Sequence, residues 1–339
     1  MHQSIEEFAT NADTWVLLLA MAISIAILGV SADILVDNAV KISIKTGLPK
    51  VIVGATIVSI GTTFPEAVVS VMAAMGGHPD FALGNAVGSI ICDTGLILGI
   101  ACIMSPLKLD MKLVNRQGWV QFGVAVLLVA LCLPYGRLNE LFNQQAFLHQ
   151  SSGFLLVVLL GVYLVWSVRL ARLADPVAED DKAGQGISML PCLGILAVAC
   201  AFVILSSIGL IESTKVLASR AGVSNAVIAA TVVAFGTSLP ELVTAITAVR
   251  KGHGELAIGN IIGADILNVL FVAGLAAAVT PDGLFADPVF FRLQFPAMLF
   301  ILFVFRLGIK TSSNGYLGRR TGFLLLGTYI IYIAITIAN

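Results

Sequence analysis

The stretch IGTTFPEAVV, residues 60–69, sets a proline and a glutamate inside an apolar run long enough to cross a membrane, and FGTSLPELVT, residues 235–244, repeats the arrangement 175 positions later. Both features are costly at that depth. Proline removes a backbone donor and clashes with the carbonyl one turn back, and an acidic side chain at a helix centre costs about 2.5–3.5 kcal/mol on insertion scales. A chain that incurs both costs twice, at matched positions, points to a use for them.

Outward from these stretches the chain is apolar almost throughout. Of its 339 residues 58% are hydrophobic and 12% charged, and the mean hydropathy is +0.99. This excludes an ordinary soluble domain. Runs of the roughly 20 residues needed to span a hydrocarbon core fall near 15–36, 50–75, 82–104, 118–134 and 152–168, then near 190–211, 225–249, 256–279, 288–305 and 322–338. The expected fold is an all-α membrane protein of about ten transmembrane helices. Ahead of Trp15 stand Glu6, Glu7 and Asp13 with no Lys or Arg, unlike the basic start of a secretory signal, so Trp15 is expected to open a retained helix. Cys92, Cys102, Cys132, Cys192 and Cys200 lie in apolar spans without metal-ligand spacing and read as small hydrophobes.

Basic residues are sorted by side. The loops after spans 1, 3, 5, 7 and 9 receive fifteen Lys and Arg, whereas the others receive only Arg137, Lys215, Arg220 and Arg292. The positive-inside rule puts the odd loops in the cytoplasm and both termini outside it. The acidic, Gly/Pro-containing segment 172–189 reads as a cytoplasmic linker.

Sliding the chain against itself aligns 47–101 with 222–276 without a gap, at 19 identities in 55 positions. The halves, 1–171 and 190–339, are thus expected to be repeats of five spans each. Five is odd, so the two repeats have inverted topology. Inverted repeats with a midplane site are a common plan for secondary transporters.

For Asp37 with Lys41, and Glu212 with Lys215, the spacing suggests helix-end ion pairs, while Asp33 is left open. Glu66, Asp93, Glu241 and Asp265 differ, because every Lys and Arg is already placed at a loop or helix end. A buried carboxylate without a cation must take a proton or attract an ion from solution. Pro65 and Pro240 are expected to free carbonyls near Gly61 and Thr62, and near Gly236 and Thr237. Thr62 and Glu66 are four apart, as are Thr237 and Glu241, so each repeat offers carboxylate, hydroxyl and carbonyl oxygens on one face. These are ligands for hard cations such as Ca²⁺ or Na⁺. The next span of each repeat adds Asn85, Ser89 and Asp93, answered by Asn260, Ala264 and Asn268.

GTTFPE with GNAVGSIICD, and GTSLPE with GNIIGADILN, resemble the paired alpha-repeats of the cation/calcium exchanger superfamily, and among its members the microbial sodium/calcium exchangers. The resemblance implies antiport of Na⁺ against Ca²⁺ in a multi-pass protein of the bacterial inner membrane. It also implies a central Ca²⁺ site of the Glu66 and Glu241 side chains with the Thr62 and Thr237 carbonyls. One flanking Na⁺ site would use Ser59, Thr63 and Ser89 beside Glu66; the other would use the Ala234 carbonyl and Ser238 beside Glu241. Asp93 and Asn268 would complete the midplane, in the reverse of the order many members show. Ala264 stands where the family often has serine, and Asp265, about 100° further round the helix, is a further candidate ligand. Ca²⁺ and Na⁺ are cargo, with the bilayer as surroundings; no cofactor, nucleic acid or obligate protein partner is expected. Counting charge, Glu66, Glu241 and Asp93 are balanced by three Na⁺, whereas one Ca²⁺ leaves one carboxylate to hold a proton, for which Asp93 is the candidate. Spans 1 and 6 are the expected sliding pair.

Other readings compete. Asp-Thr-Gly at 93–95 matches the aspartic-protease signature, but such enzymes need two carboxylates sharing a proton, and the repeat mate reads Asn-Val-Leu. An intramembrane protease using Asp93 with Asp265 is the remote alternative. A passive cation channel would conduct without a counter-ion, and H⁺-coupled Ca²⁺ exchange is the nearer alternative. His78 and His253, repeat mates, read as turn residues.

Overall fold

The computed structural model describes residues 10–136, 141–172, 188–221, 236–312 and 315–338. Ten helices follow in order: α1 Thr14–Thr46, α2 Lys50–Met75, α3 Pro79–Met104, α4 Met111–Cys132, α5 Gln150–Ala171, α6 Met189–Arg220, α7 Leu239–Arg250, α8 Gly254–Ala278, α9 Phe290–Lys310 and α10 Arg319–Ala338. Among the described residues, all of these but α7 are long and apolar enough to cross a membrane. Residues 225–235 of the seventh expected span, and most of the 172–189 linker, fall outside the described residues.

Burial ranks the helices. In α8 the most apolar window is 89% buried, against 22% in α1 and 17% in α10. The helices carrying the duplicated polar motif are therefore central, and α1 and α10 lie at the periphery. Exposed Trp15, Leu19, Phe323 and Ile331 on those outer helices face the lipid, which solvates apolar side chains as readily as a core does.

Four short strands and a few ion contacts fix the ends of the bundle. β1 (Leu107–Lys108, after α3) pairs antiparallel with β4 (Tyr316–Leu317, after α9), and β2 (Ala146–Leu148, after α4) pairs with β3 (Leu284–Ala286, after α8). Odd connections thus meet odd, and even meet even. Lys108 reaches Glu255 at 3.7 Å, adding the α7–α8 connection to the odd end. Asp37 takes Lys251 as its partner at 2.7 Å, in place of the expected Lys41, and Asp33 shares that lysine at 3.5 Å. Spacing along one helix favoured Lys41; packing brings the end of α7 closer. Glu212 and Lys215 pair as expected, at 2.7 Å.

Helices α1 and α6, of 33 and 32 residues, pack along each other, with Gly209 of α6 against Ser24 of α1. Arg220, ending α6, donates to the carbonyls of Thr10 and Ala12 and to the Thr14 hydroxyl at the start of α1. The two helices are therefore antiparallel. Arg220 and Lys251 stand at opposite ends of α1.

The turn after each motif helix is also duplicated. Gly77 and Gly252 adopt φ of 90° and 78°, a region open to glycine. The next N–H groups, of His78 and His253, donate to the carbonyls of Ala73 and Ala248 at 2.9 and 2.7 Å. This closes both helices in the same way. His78 and His253 then precede α3 and α8 as N-cap residues, which agrees with their reading as turn residues. All five cysteines are free and buried.

Candidate cation site

The two prolines act differently. Pro65 lies inside α2, which continues through it and carries a π-helical turn at Gly54–Val58 immediately before Ser59. Pro240 instead sits in the first turn of α7, directly after a turn at Thr237 and Ser238. Glu66 is thus mid-helix, while Glu241 lies at a helix start, where the backbone dipole favours negative charge. Among the described residues, then, Pro65 lies within a continuous helix and Pro240 opens one.

Two further π-helical turns, Cys92–Ile97 in α3 and Asn268–Ala273 in α8, fall within one residue of each other in the repeat alignment. They carry Asp93 and Asn268. Single π-turns occur often at functional sites because they re-aim side chains and disturb the carbonyl ladder. In α2 the disturbed ladder has found a partner, since the Tyr163 hydroxyl donates to the Ala55 carbonyl at 3.2 Å.

The repeats touch reciprocally. The Thr62 hydroxyl lies 3.4 Å from Asn260 Oδ1, and the Thr237 hydroxyl lies 3.3 Å from Asn85 Oδ1. Thr62 and Thr237 are repeat mates, as are Asn85 and Asn260. Contact of i with j′ and i′ with j is what a twofold relation produces. The Thr63 hydroxyl donates across the same boundary to Glu241 Oε1 at 3.1 Å, whereas the resemblance had set Thr63 beside Glu66.

Ser59, Thr62, Thr63, Glu66, Ser89, Asp93, Ser238, Glu241, Asp265 and Asn268 are all buried, and Thr237 is partly so; Ala234 lies outside the described residues. Glu66, Asp93 and Glu241 lie close enough for their charges to repel, and Ser238 lies beside Asp93. Glu66 Oε2, Glu241 Oε2 and both oxygens of Asp93 have no hydrogen-bond partner among the described residues. Nor does any Lys or Arg there pair with them, and the stretch 222–235 contains neither residue. Among the described residues no three carboxylate, imidazole or thiol groups converge as the ligands of a resident metal do.

Asp265 lies near Asp93 but has its own partners. One of its oxygens accepts hydrogen bonds from Thr94 of α3 and Gln121 of α4. The sequence reading missed these two residues. Their only local signal is a polar side chain on an apolar helix, and neither belongs to the duplicated pattern.

With this geometry in hand, likeness to known proteins decides the family. The sequence pattern of the family described as sodium/calcium exchanger protein matches residues 16–169 and 192–338. The chain belongs to this family. It is 35% identical to the inner membrane protein YrbG of Escherichia coli, over 90% of this chain and 91% of YrbG. To the sodium/calcium exchanger MaX1 of Methanosarcina acetivorans it is 26% identical, over 94% of this chain and 97% of MaX1. Its fold matches the solved sodium–calcium exchanger NCX_Mj with a TM-score of 0.80 at 26% identity, covering 95% of this chain and 99% of that one. The protein is therefore a multi-pass membrane exchanger of the cation/Ca²⁺ class, and not an enzyme. The protease reading of Asp93 with Asp265 falls with that assignment.

Proposed function

We propose that this exchanger moves Na⁺ against Ca²⁺ by alternating access, binding both at Glu66 and Glu241 between two inverted five-helix repeats. One observation carries the reading. Two buried glutamates from equivalent positions each keep an oxygen without a partner, in a site to which no Lys or Arg among the described residues supplies positive charge. The solution ion supplies it.

The modest ligand charge suits cargo. Ca²⁺ affinity rises with the number of charged ligands and the rigidity of the cage, and a transported ion must also leave. Two carboxylates with threonine and serine oxygens give a site that Ca²⁺ and Na⁺ can share. Antiport follows when the empty site, its charges unbalanced, resists enclosure. The inverted arrangement of repeats 1–171 and 190–339 is supported by the reciprocal Thr–Asn contacts and by antiparallel α1 and α6. Arg220 and Lys251, toward opposite ends of α1, support an odd number of crossings in the second half as in the first. The excess of basic residues on the odd loops supports a cytoplasmic odd end, with both termini outside, in a bacterial inner membrane.

The test is uptake of radioactive Ca²⁺ into proteoliposomes loaded with Na⁺, compared with K⁺ loading or a pH gradient alone. Uptake is expected only with Na⁺ inside. Equal uptake with the pH gradient alone would favour H⁺ coupling instead.

Asp93 supplies a second expectation. Its two oxygens are unpartnered, and one Ca²⁺ balances only two of the three central carboxylates. Asp93→Asn keeps the shape and removes the surplus charge, so Na⁺-driven Ca²⁺ uptake is expected to persist. Complete loss of uptake in a folded variant contradicts the assignment of Asp93 as the proton holder.

A further inference from the structure

Three buried polar groups outside the central site meet at one place. Asp265 of α8 is 1% exposed, and Thr94 and Gln121, which donate to one of its oxygens, are equally enclosed at 0% and 1%. Its other oxygen, Oδ1, has no partner, and no Lys or Arg pairs with it among the described residues. Neutral donors thus satisfy half of the carboxylate and leave its charge unbalanced. Asp93, with both oxygens free, is near enough to repel it. A cation beside Asp265 Oδ1 would relieve both groups.

A second buried amide lies further along α4. Gln117 lies one turn from Gln121 on α4, fully buried, and its amide donates to Ser167 of α5 at 3.1 Å. Its Oε1 is left without a partner. A pair of inward glutamines at spacing four makes a polar line on a helix otherwise packed against apolar neighbours, and unpaired amide oxygens in hydrocarbon surroundings are costly.

The arrangement is not part of the duplication. The repeat mate of Asp265 is Ile90, and that of Thr94 is Val269. The site therefore exists once, on the side of α8 that faces α3 and α4, whereas the Glu66/Glu241 site is built by both repeats. It lies next to Ala264, where the mate Ser89 has a hydroxyl.

We propose that Asp265, Thr94 and Gln121 form a second, lateral cation site that takes one monovalent alkali cation alongside the central site. One carboxylate with neutral oxygens lacks the charge and ligand number that Ca²⁺ seeks. It suits a singly charged ion, held by the free Asp265 Oδ1 and a lone pair of the Thr94 hydroxyl, while the Gln121 amide keeps donating to the other carboxylate oxygen and so fixes the group in place. This rests on the antiport reading above, and the ion it adds is an extra co-transported charge.

The test measures coupling. In proteoliposomes at clamped voltage, the Ca²⁺ gradient that just stops net flux is recorded against the imposed Na⁺ gradient, and the slope of the logarithms gives Na⁺ moved per Ca²⁺. Asp265→Asn is expected to lower that slope by about one, since each coupled ion contributes one power of its gradient. Thr94→Val is expected to shift half-maximal Na⁺ to higher concentration. Adding K⁺ on both sides separates the ions: if the lateral site takes K⁺, the wild-type balance point shifts with the K⁺ gradient and that shift disappears in Asp265→Asn. An unchanged slope and no K⁺ response in a transporting Asp265→Asn protein overturn the proposal. Should that variant fold but not transport, radioactive Na⁺ and K⁺ bound per purified protein in detergent decide: one fewer ion than wild type supports the site, and an equal count overturns it. Failure of Na⁺-driven uptake in the wild type, by contrast, would refute the antiport reading itself.

Discussion

Replacing both Glu66 and Glu241 by glutamine is expected to abolish Ca²⁺ exchange while leaving the protein folded. The substitution preserves size and keeps a carbonyl oxygen at each position, so what it removes is charge. Unit charges about 4 Å apart at an effective dielectric of 20 interact by roughly 4 kcal/mol, and a divalent ion loses about twice that from each carboxylate. Even with partial compensation, Ca²⁺ affinity is expected to fall by roughly a thousandfold or more. Stability should move the other way. Glu66 and Glu241 are buried, repel each other, and each keep an unpartnered oxygen; neutral glutamines end that repulsion. In cation-free buffer the double variant should therefore melt no lower than the wild type. What it should lose is the stabilisation that added Ca²⁺ gives the wild type, about 2.7 kcal/mol when Ca²⁺ is at 100 times its dissociation constant. Thermal melting with and without Ca²⁺, beside Ca²⁺ uptake, reads both effects. Exchange at the wild-type rate in the double variant would remove the basis of the proposed function.

Much of this site was legible in the sequence because duplication marks it. One polar residue in an apolar span is ambiguous, whereas Thr62, Glu66 and Asn85 each answered at the same offset are not. The spans were legible for a simpler reason, since each carries its own backbone hydrogen bonds through the bilayer and needs a long apolar run. What escaped was pairing between distant segments. Asp37 takes Lys251 from α7 because helix packing, which local spacing does not encode, brings them together. Thr63 crosses to Glu241 for the same reason. Thr94 and Gln121 lacked even a repeat mate of like chemistry, so only the fold shows what they hold. The prolines mark the other limit: closely similar motifs gave a continuous helix at Pro65 and a helix start at Pro240, and local sequence does not say where the costly interior place is tolerated.

The second large effect is expected at glycines with no chemistry of their own. A Cβ on Gly259 of α8 would lie 2.1 Å from the Val51 carbonyl oxygen of α2. One on Gly263 would lie 2.5 Å from Ala55 Cα and 2.6 Å from the Ser59 hydroxyl. From the other side, one on Gly54 would lie 2.5 Å from the Leu256 carbonyl oxygen. Helices α2 and α8 thus meet backbone to backbone, the close approach that small residues permit in membranes. Because the obstacles are mostly main-chain atoms, no rotamer change can relieve them. The helices must separate. Overpacking typically costs about 1–3 kcal/mol, and Gly259→Ala is expected at or above the top of that range, with Gly263→Ala close behind. The loss should extend to transport, since α2 carries Thr62 and Glu66, α8 carries Asn260 and Asp265, and the Thr62–Asn260 contact spans the joint. Met72→Ala, on a lipid-facing position 67% exposed, is the matched control and should melt near wild type. If Gly259→Ala melts and transports like that control, α2 and α8 are not locked at this crossing. If it folds with a lowered melting point and weakened Ca²⁺ binding, the ions are held by a site whose geometry is set by how closely two backbones approach.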